Sequence, residues 1–269
     1  MIDNLFSLNG KTAIVTGAAG LLGRQHCFAL SEAGANVVLC DLDIEKCNSI
    51  AYELPTKSLS LELDITSEYS ILAVSEKIYK EFGSIDILVN NAAINDMVEN
   101  DKGDSEPTSF ENYPISLFRK VLDVNITGMF ASSKIFGAQM VRQGKGSIIN
   151  IASTYGVVAP DQNLYIKPDG TQSFFKSPAY PTAKAAVLNF TRYLAAYWGK
   201  HGIRVNSLSP GGVENGQEQF FIDNYSKRTP LGRMSKSTDY HGGLIFLASD
   251  ASLYMTGANL VIDGGWTIW

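Results

Sequence analysis

Short apolar runs alternate with longer amphipathic stretches along the chain. Residues 11–16 read as a buried strand that ends in Gly17. Residues 21–33 follow with apolar positions at helical spacing, and Gly34 closes that helix. The same pattern predicts strands over 36–40, 58–63, 85–89, 147–152, 203–208 and 259–262. It predicts helices over 44–54, stopped by Pro55, over 67–82, capped by Ser67, and over 117–141, 183–198 and 239–248. Strand followed by helix, repeated, implies parallel strands joined by right-handed crossovers, with helices on both faces. The expected fold class is therefore α/β, a doubly wound parallel sheet of about seven strands. No linker-like composition divides the chain, so one domain over 1–269 is expected. Three segments exceed ordinary loop length: 95–116, 154–177 and 211–236. Each follows the carboxyl end of a strand, the edge where open α/β sheets bind ligands.

Two groupings carry chemistry. Thr16-Gly17-Ala18-Ala19-Gly20-Leu21-Leu22-Gly23 lies between the first strand and the first helix. Glycines there permit a tight turn and let backbone N–H groups approach a pyrophosphate at a helix N-terminus. Gly17, Gly20, Leu22 and Gly23 are thus candidate dinucleotide contacts. Asp41 ends the second strand, 18 residues after Gly23. A carboxylate there accepts both hydroxyls of an adenosine ribose and repels a 2′-phosphate. Neither Ala18, Ala19 nor the residue after Asp41 is basic, so NAD is expected over NADP. The competing role for Asp41 is to cap the next helix, for which Asp43 is better placed.

Tyr180 and Lys184 are four residues apart and share a helix face. Pro178 and Pro181 place them near that helix's N-terminal, positive end. A phenol with a pKa of ~10 needs ~3–4 kcal/mol of differential stabilisation to act as a base near neutral pH. One ammonium ~4 Å away supplies ~4 kcal/mol at an effective dielectric of ~20, so Lys184 is expected to lower the Tyr180 pKa.

Composition narrows the partners. The 269 residues include 22 Lys and Arg against 27 Asp and Glu, a net charge of −5, which disfavours nucleic-acid binding by charge. No apolar run reaches the ~18 residues of a membrane span. Residues 1–8 lack the basic start of a signal peptide, so a cytoplasmic location is expected. Cys27, Cys40 and Cys47 read as reduced thiols, and His26, His201 and His241 form no ligand-spaced cluster with them, so no metal site is expected.

These features together resemble the short-chain dehydrogenase/reductase superfamily in its single-domain branch, over 8–265. Asp64, followed by Ile65, resembles the family's adenine-contacting Asp, and Asn90-Asn91-Ala92-Ala93 resembles its NNAG segment. Asn125 and Ser153 stand where the family has its catalytic Asn and Ser, and Tyr180 with Lys184 matches YxxxK. Thr154 is a rival for the place of Ser153, and a buried helix kink is the competing role for Asn125. Pro210-Gly211, with Val213 just beyond, resembles the nicotinamide-contacting turn, and Pro230 to Arg233 and Thr256 to Gly265 are also typical.

The resemblance implies a Rossmann-type sheet that holds NAD through Gly17, Gly20, Leu22, Gly23, Asp41, Asp64, Ile65, Asn91, Ala92, Tyr180, Lys184, Pro210, Gly211 and Val213. It implies hydride transfer between nicotinamide and a secondary alcohol or ketone. Tyr180 would exchange the proton, Ser153 would hydrogen-bond the reacting oxygen, Lys184 would hold the nicotinamide ribose, and Asn125 would bind a relay water. It also implies a homotetramer or homodimer, built on helices beginning near Leu117 and Ala183. Gly156 to Asp161 after Ser153 resembles oxidoreductases of bacterial surface-sugar loci, the flagellin modification protein A group, which implies a sugar or sugar phosphate substrate. An NAD-retaining epimerase or dehydratase, and a non-catalytic dinucleotide sensor, are the alternatives.

Three departures from the family pattern stand out. Leu21 occupies the usual middle-glycine position, Tyr180 comes 27 positions after Ser153, and Val213, Glu214 and Asn215 replace the usual Thr. Lys167, Lys176, Lys227 and Arg228 are candidates to meet a phosphate or carboxylate. Tyr155, Tyr165, Phe174 and Phe175 are candidates to stack on a sugar ring or shield the nicotinamide, and Arg233 is expected in a structural ion pair.

Overall fold

The computed structural model describes residues 2–96 and 109–269. The predicted loop 95–116 therefore lies partly outside the described residues. Runs rich in Val, Ile and Leu form β1 (Thr12–Thr16), β2 (Asn36–Asp41), β3 (Ser58–Glu62), β4 (Ile87–Asn90), β5 (Gly146–Ile151), β6 (Ile203–Pro210) and β7 (Asn259–Ile262). They pair in parallel in the order β3-β2-β1-β4-β5-β6-β7. Residues along a strand point alternately to opposite faces. Ala13, Val15, Val37 and Leu39 accordingly enter one core, and Ile14, Val38 and Cys40 the other.

The first core takes α1 (Leu21–Glu32), α2 (Ile44–Glu53) and the late helix His241–Ala248. The second takes α3 (Glu68–Phe82), packed through Ile71, Val74 and Ile78. Each fully buried Val, Leu or Ile contributes about 1.5–3 kcal/mol relative to leaving it in water. Burial on both faces is why the strands read as continuous apolar runs.

The predicted helix 117–141 is built in three pieces: α4 (Ile115–Leu122), a wider π-helical stretch (Asp123–Gly128) and α5 (Met129–Gln143). The predicted helix 183–198 starts earlier, as α6 (Ala179–Trp198), with Pro178 at its cap and Pro181 in its first turn. The segment 211–236, expected as loop, contains α7 (Gln219–Arg228). The last helix, predicted over 239–248, is α8 (His241–Ala248).

Buried polar side chains tie the site's supports together. Asn90 on β4 donates to Ser133 Oγ at 2.9 Å and to Asn150 Oδ1 at 2.8 Å. Asn150 on β5 donates to Thr191 Oγ1 on α6 at 2.9 Å. The chain order reverses beside β1, whose neighbours are β2 and β4, and a ligand crevice is expected outside the strand ends there. Among the described residues no helix is long and apolar enough to cross a membrane. No group of three metal-ligating side chains comes together among them. Cys27, Cys40 and Cys47 are free and buried, and burial pushes their thiols up.

Candidate active site

A cavity of ≈ 790 Å³ opens at the carboxyl ends of the central strands. Gly17, Gly20, Leu22, Gly23, Asp41, Asp64, Ile65, Asn91, Ala92, Pro210, Gly211 and Val213 all line it, as do Ser153, Tyr180 and Lys184. Gly17 has φ +66°, and an added Cβ would stand 2.7 Å from Ala92 Cα. At Gly23 an added Cβ would stand 1.9 Å from Gly17 O. These two glycines let the turn fold back upon itself and open α1 toward the cavity. Thr16 Oγ1 accepts from Asn91 N and Ala92 N, both at 3.1 Å, which locks the turn to the end of β4. Leu21, at the usual middle-glycine position, is exposed and begins α1, so a side chain fits there.

At the adenosine end, Asp43 caps α2 by accepting from Lys46 N at 3.0 Å, as expected. Asp41 has work of its own: it accepts from Ala19 N at 2.9 Å and from Asp43 N at 3.2 Å. Asp64 accepts from Thr66 N at 2.8 Å, which turns the chain out of β3. The turn's glycines, the helix N-terminus and a carboxylate at the end of β2 are the donor and acceptor set that a dinucleotide needs. The residues therefore fit a nicotinamide dinucleotide.

At the other end, Ser153 leaves β5 with its Oγ accepting from Tyr155 N at 3.1 Å. Gly156 then packs on α6, where an added Cβ would stand 2.6 Å from Lys184 O. Lys184 is buried, donates to Ile151 O at 2.7 Å, and lies 5.6 Å from the Tyr180 ring centroid. Burial lowers its pKa to about 8.

The expected lowering of Tyr180 is not what this structure holds. Burial pushes the phenol up, and the hydrogen bond from Ser153 opposes that only in part. A phenolate here must also be placed away from water, and that cost is a larger effect than a neighbouring ammonium's attraction. The phenol is thus protonated at neutral pH in the chain alone, the form that donates to a carbonyl oxygen.

Asn125 is buried in the π-helical stretch and does not line the cavity. Its Oδ1 accepts from Ile94 N at 2.8 Å and its Nδ2 donates to Ile94 O at 3.0 Å. Both ends of its carboxamide are committed to the segment after β4. These two bonds use one lone pair and one N–H of the carboxamide, and they fix the cavity wall.

Residues 11–165 match the family model described as short chain dehydrogenase, and 169–267 match the one described as Enoyl-(Acyl carrier protein) reductase. The chain belongs to the short-chain dehydrogenase/reductase superfamily. It is an oxidoreductase of this superfamily acting on CH–OH groups. It is 33% identical to the NAD-dependent glycerol dehydrogenase of Listeria innocua, over 99% of this chain and 97% of that one. The crystal structure of gluconate 5-dehydrogenase from Burkholderia cenocepacia, in complex with NADP and tartrate, superposes with a TM-score of 0.85 at 28% identity, covering 100% of each chain. A short chain dehydrogenase from Leptospira borgpetersenii with bound NAD+ gives 0.84 at 33% identity, over 99% of this chain and 96% of that one.

The cavity wall beyond the catalytic residues is built from the 154–177 insertion and α7. Tyr165 from the insertion stacks on Phe221 of α7, centroids 5.2 Å apart, and both line the cavity with Tyr155, Tyr225 and Met234. Tyr225 stacks on Trp266 at 4.2 Å and accepts from Gly212 N at 2.6 Å, so the C-terminal segment, α7 and the Gly211-Gly212 turn hold one another. Phe174 packs behind Tyr165, outside the cavity wall, and Phe175 does not line it either. Of the four basic candidates, Lys176 alone lines the cavity. Arg228 pairs with Asp161 and lies over Trp266, and Arg233 pairs with Asp239 at 2.6 Å, the expected structural ion pair. The sequence reading missed α7 and its cavity residues. The four-residue spacing of Phe221 and Tyr225 was the available signal, masked by Gly211, Gly212, Gly216 and Pro230 around it.

Proposed function

We propose that this enzyme is an NAD-dependent dehydrogenase of a secondary alcohol on a polyol or sugar-derived substrate, with Ser153, Tyr180 and Lys184 as its catalytic residues. The observation that carries the proposal is their convergence on a cavity whose other end holds the glycine turn and Asp41. When bound, NAD supplies the hydride acceptor. In reduction Tyr180 gives its phenolic proton to the carbonyl oxygen, and in oxidation the phenolate, held beside the Lys184 ammonium, takes the proton of the substrate hydroxyl. Ser153 hydrogen-bonds the same oxygen and stabilises its developing charge. Lys184, anchored on Ile151 O, holds positive charge beside the phenol and binds the ribose. The names of the glycerol and gluconate dehydrogenases support a polyol or sugar acid as substrate.

Relatives of both dinucleotide preferences exist, so Asp41 carries the choice of NAD. Initial rates across a panel of polyols and sugar acids, with NAD and NADP in parallel, test the reading. Asp41→Ala is expected to cut the NAD-to-NADP ratio of kcat/KM by about 10- to 100-fold, the range of one charged hydrogen-bonded contact. An unchanged ratio would refute the assignment.

Phe130, Tyr193 and Tyr197 are exposed on α5 and α6, with the two tyrosines stacked 5.9 Å apart. Apolar surface of this kind supports self-association through these helices. Light scattering at micromolar concentration is expected to give a tetramer's mass, against which a monomer's would count.

A further inference from the structure

Lys176 closes the 154–177 insertion and is a second lysine at the catalytic end of the cavity. It is 8% exposed. Its ammonium lies 4.7 Å from the Tyr180 ring centroid, nearer than that of Lys184 at 5.6 Å. It is rigidly set. The Gln162 carboxamide pairs both backbone groups of Lys176, accepting from its N–H at 2.8 Å and donating to its carbonyl at 3.1 Å. The next residue, Ser177, donates to Asp96 Oδ1 at 2.7 Å.

The direct acceptor of the ammonium is neutral, Asn95 Oδ1, which also lines the cavity. Asp96 is the carboxylate nearby and its charge acts on the ammonium, while its oxygens take their hydrogen bonds from Ser177 and Tyr113. A buried ammonium costs desolvation that a neutral acceptor only partly offsets. Placing one at the wall of a substrate cavity, with its backbone clamped and one N–H on Asn95, leaves its further N–H donors for a ligand.

We propose that Lys176, with Asn95, forms a carboxylate-binding subsite beside Ser153 and Tyr180, so that the enzyme takes hydroxy acids whose carboxylate lies close to the carbinol it oxidises. This rests on the dehydrogenase reading above and adds the substrate's charge to it. An ammonium already beside Asp96 suits a singly charged carboxylate better than a doubly charged phosphate. Among the described residues no arginine lines the cavity to form the bidentate fork that favours phosphate. The cation also lies over the Tyr180 ring, so an effect on the phenol is the rival role.

The test compares glycerate, erythronate and gluconate with glycerol, erythritol and glucitol, in wild type, Lys176→Met and Lys176→Arg. The wild type is expected to prefer the acids. Lys176→Met is expected to cut the acid-to-polyol ratio of kcat/KM by about 10- to 100-fold, chiefly through KM, as for a lost charged contact. Lys176→Arg is expected to restore part of it. An equal fall on both classes would assign Lys176 to Tyr180 or to packing and overturn the subsite, as would a wild type that prefers polyols. Should no compound be turned over, the dehydrogenase reading fails separately, and thermal shifts of the NAD-mixed protein decide the subsite. Stabilisation by malonate but not by malonamide, lost in Lys176→Met, supports it, and no stabilisation by malonate overturns it.

Discussion

Tyr180→Phe is expected to lower kcat for alcohol oxidation by about a hundred- to ten-thousandfold, the range that a positioned acid or base contributes. NADH affinity, read by fluorescence titration, is expected to stay within about threefold, since one hydroxyl is removed and the ring is kept. The phenyl ring still fills the space beneath the Lys176 and Lys184 ammonium groups. The cofactor turn and β2 are untouched, so the melting temperature is expected to hold. Retained turnover with intact dinucleotide binding would remove Tyr180 from the chemistry, leaving Ser153 as the remaining hydroxyl of the assigned group.

The second large effect is on the dinucleotide cradle. Gly23→Ala places a methyl group 1.9 Å from Gly17 O, 2.8 Å from Gly17 C and 2.9 Å from Ala18 Cα. All three are backbone atoms of the turn, so no side chain can swing aside. The turn must open, which costs about 3 kcal/mol or more on the scale of overpacked interiors. At about 2–4 °C per kcal/mol for a chain of roughly this size, the melting temperature is expected to fall by about 6–12 °C, with loss of detectable NADH binding. Gly242→Ala is the control. An added Cβ there meets nothing within 4 Å, and the residue is exposed on α8. Its melting temperature is expected to stay level or rise slightly, as for Gly to Ala in a helix. Equal behaviour of the two variants in a thermal melt would mean that the close approach at Gly23 does not matter.

Much of this architecture was legible in the sequence because its causes are local. Strands buried on both faces must be apolar throughout, so β1, β2 and β4 announce themselves. Pro178 and Pro181 marked the start of α6 closely enough to put Tyr180 in its first turn. The π-helical stretch at Asp123–Gly128 was not legible, because a shift of hydrogen-bond partner leaves composition unchanged. Nor was the use of Asn125, whose partner Ile94 is 31 residues away.

The same divide runs through the site. The glycine turn and Asp41 follow from their places at strand ends, while the Tyr180–Lys184 pair shares a helix face by spacing and takes its weight from the family resemblance around it. Which of Lys167, Lys176, Lys227 and Arg228 faces the cavity depends on how the insertion folds against α7, a tertiary fact. The direction of the Tyr180 shift also needed three dimensions, since burial opposes what a neighbouring ammonium would do.

The most direct measurement is a progress curve at 340 nm with wild-type enzyme, NAD and the panel of secondary alcohols. The predicted result is NADH rising to many times the enzyme concentration with at least one hydroxy acid or polyol, faster with NAD than with NADP. No NADH with any of them, or reduced nicotinamide capped at one per subunit while substrate is still consumed, would contradict it, the latter by marking an enzyme that returns its hydride.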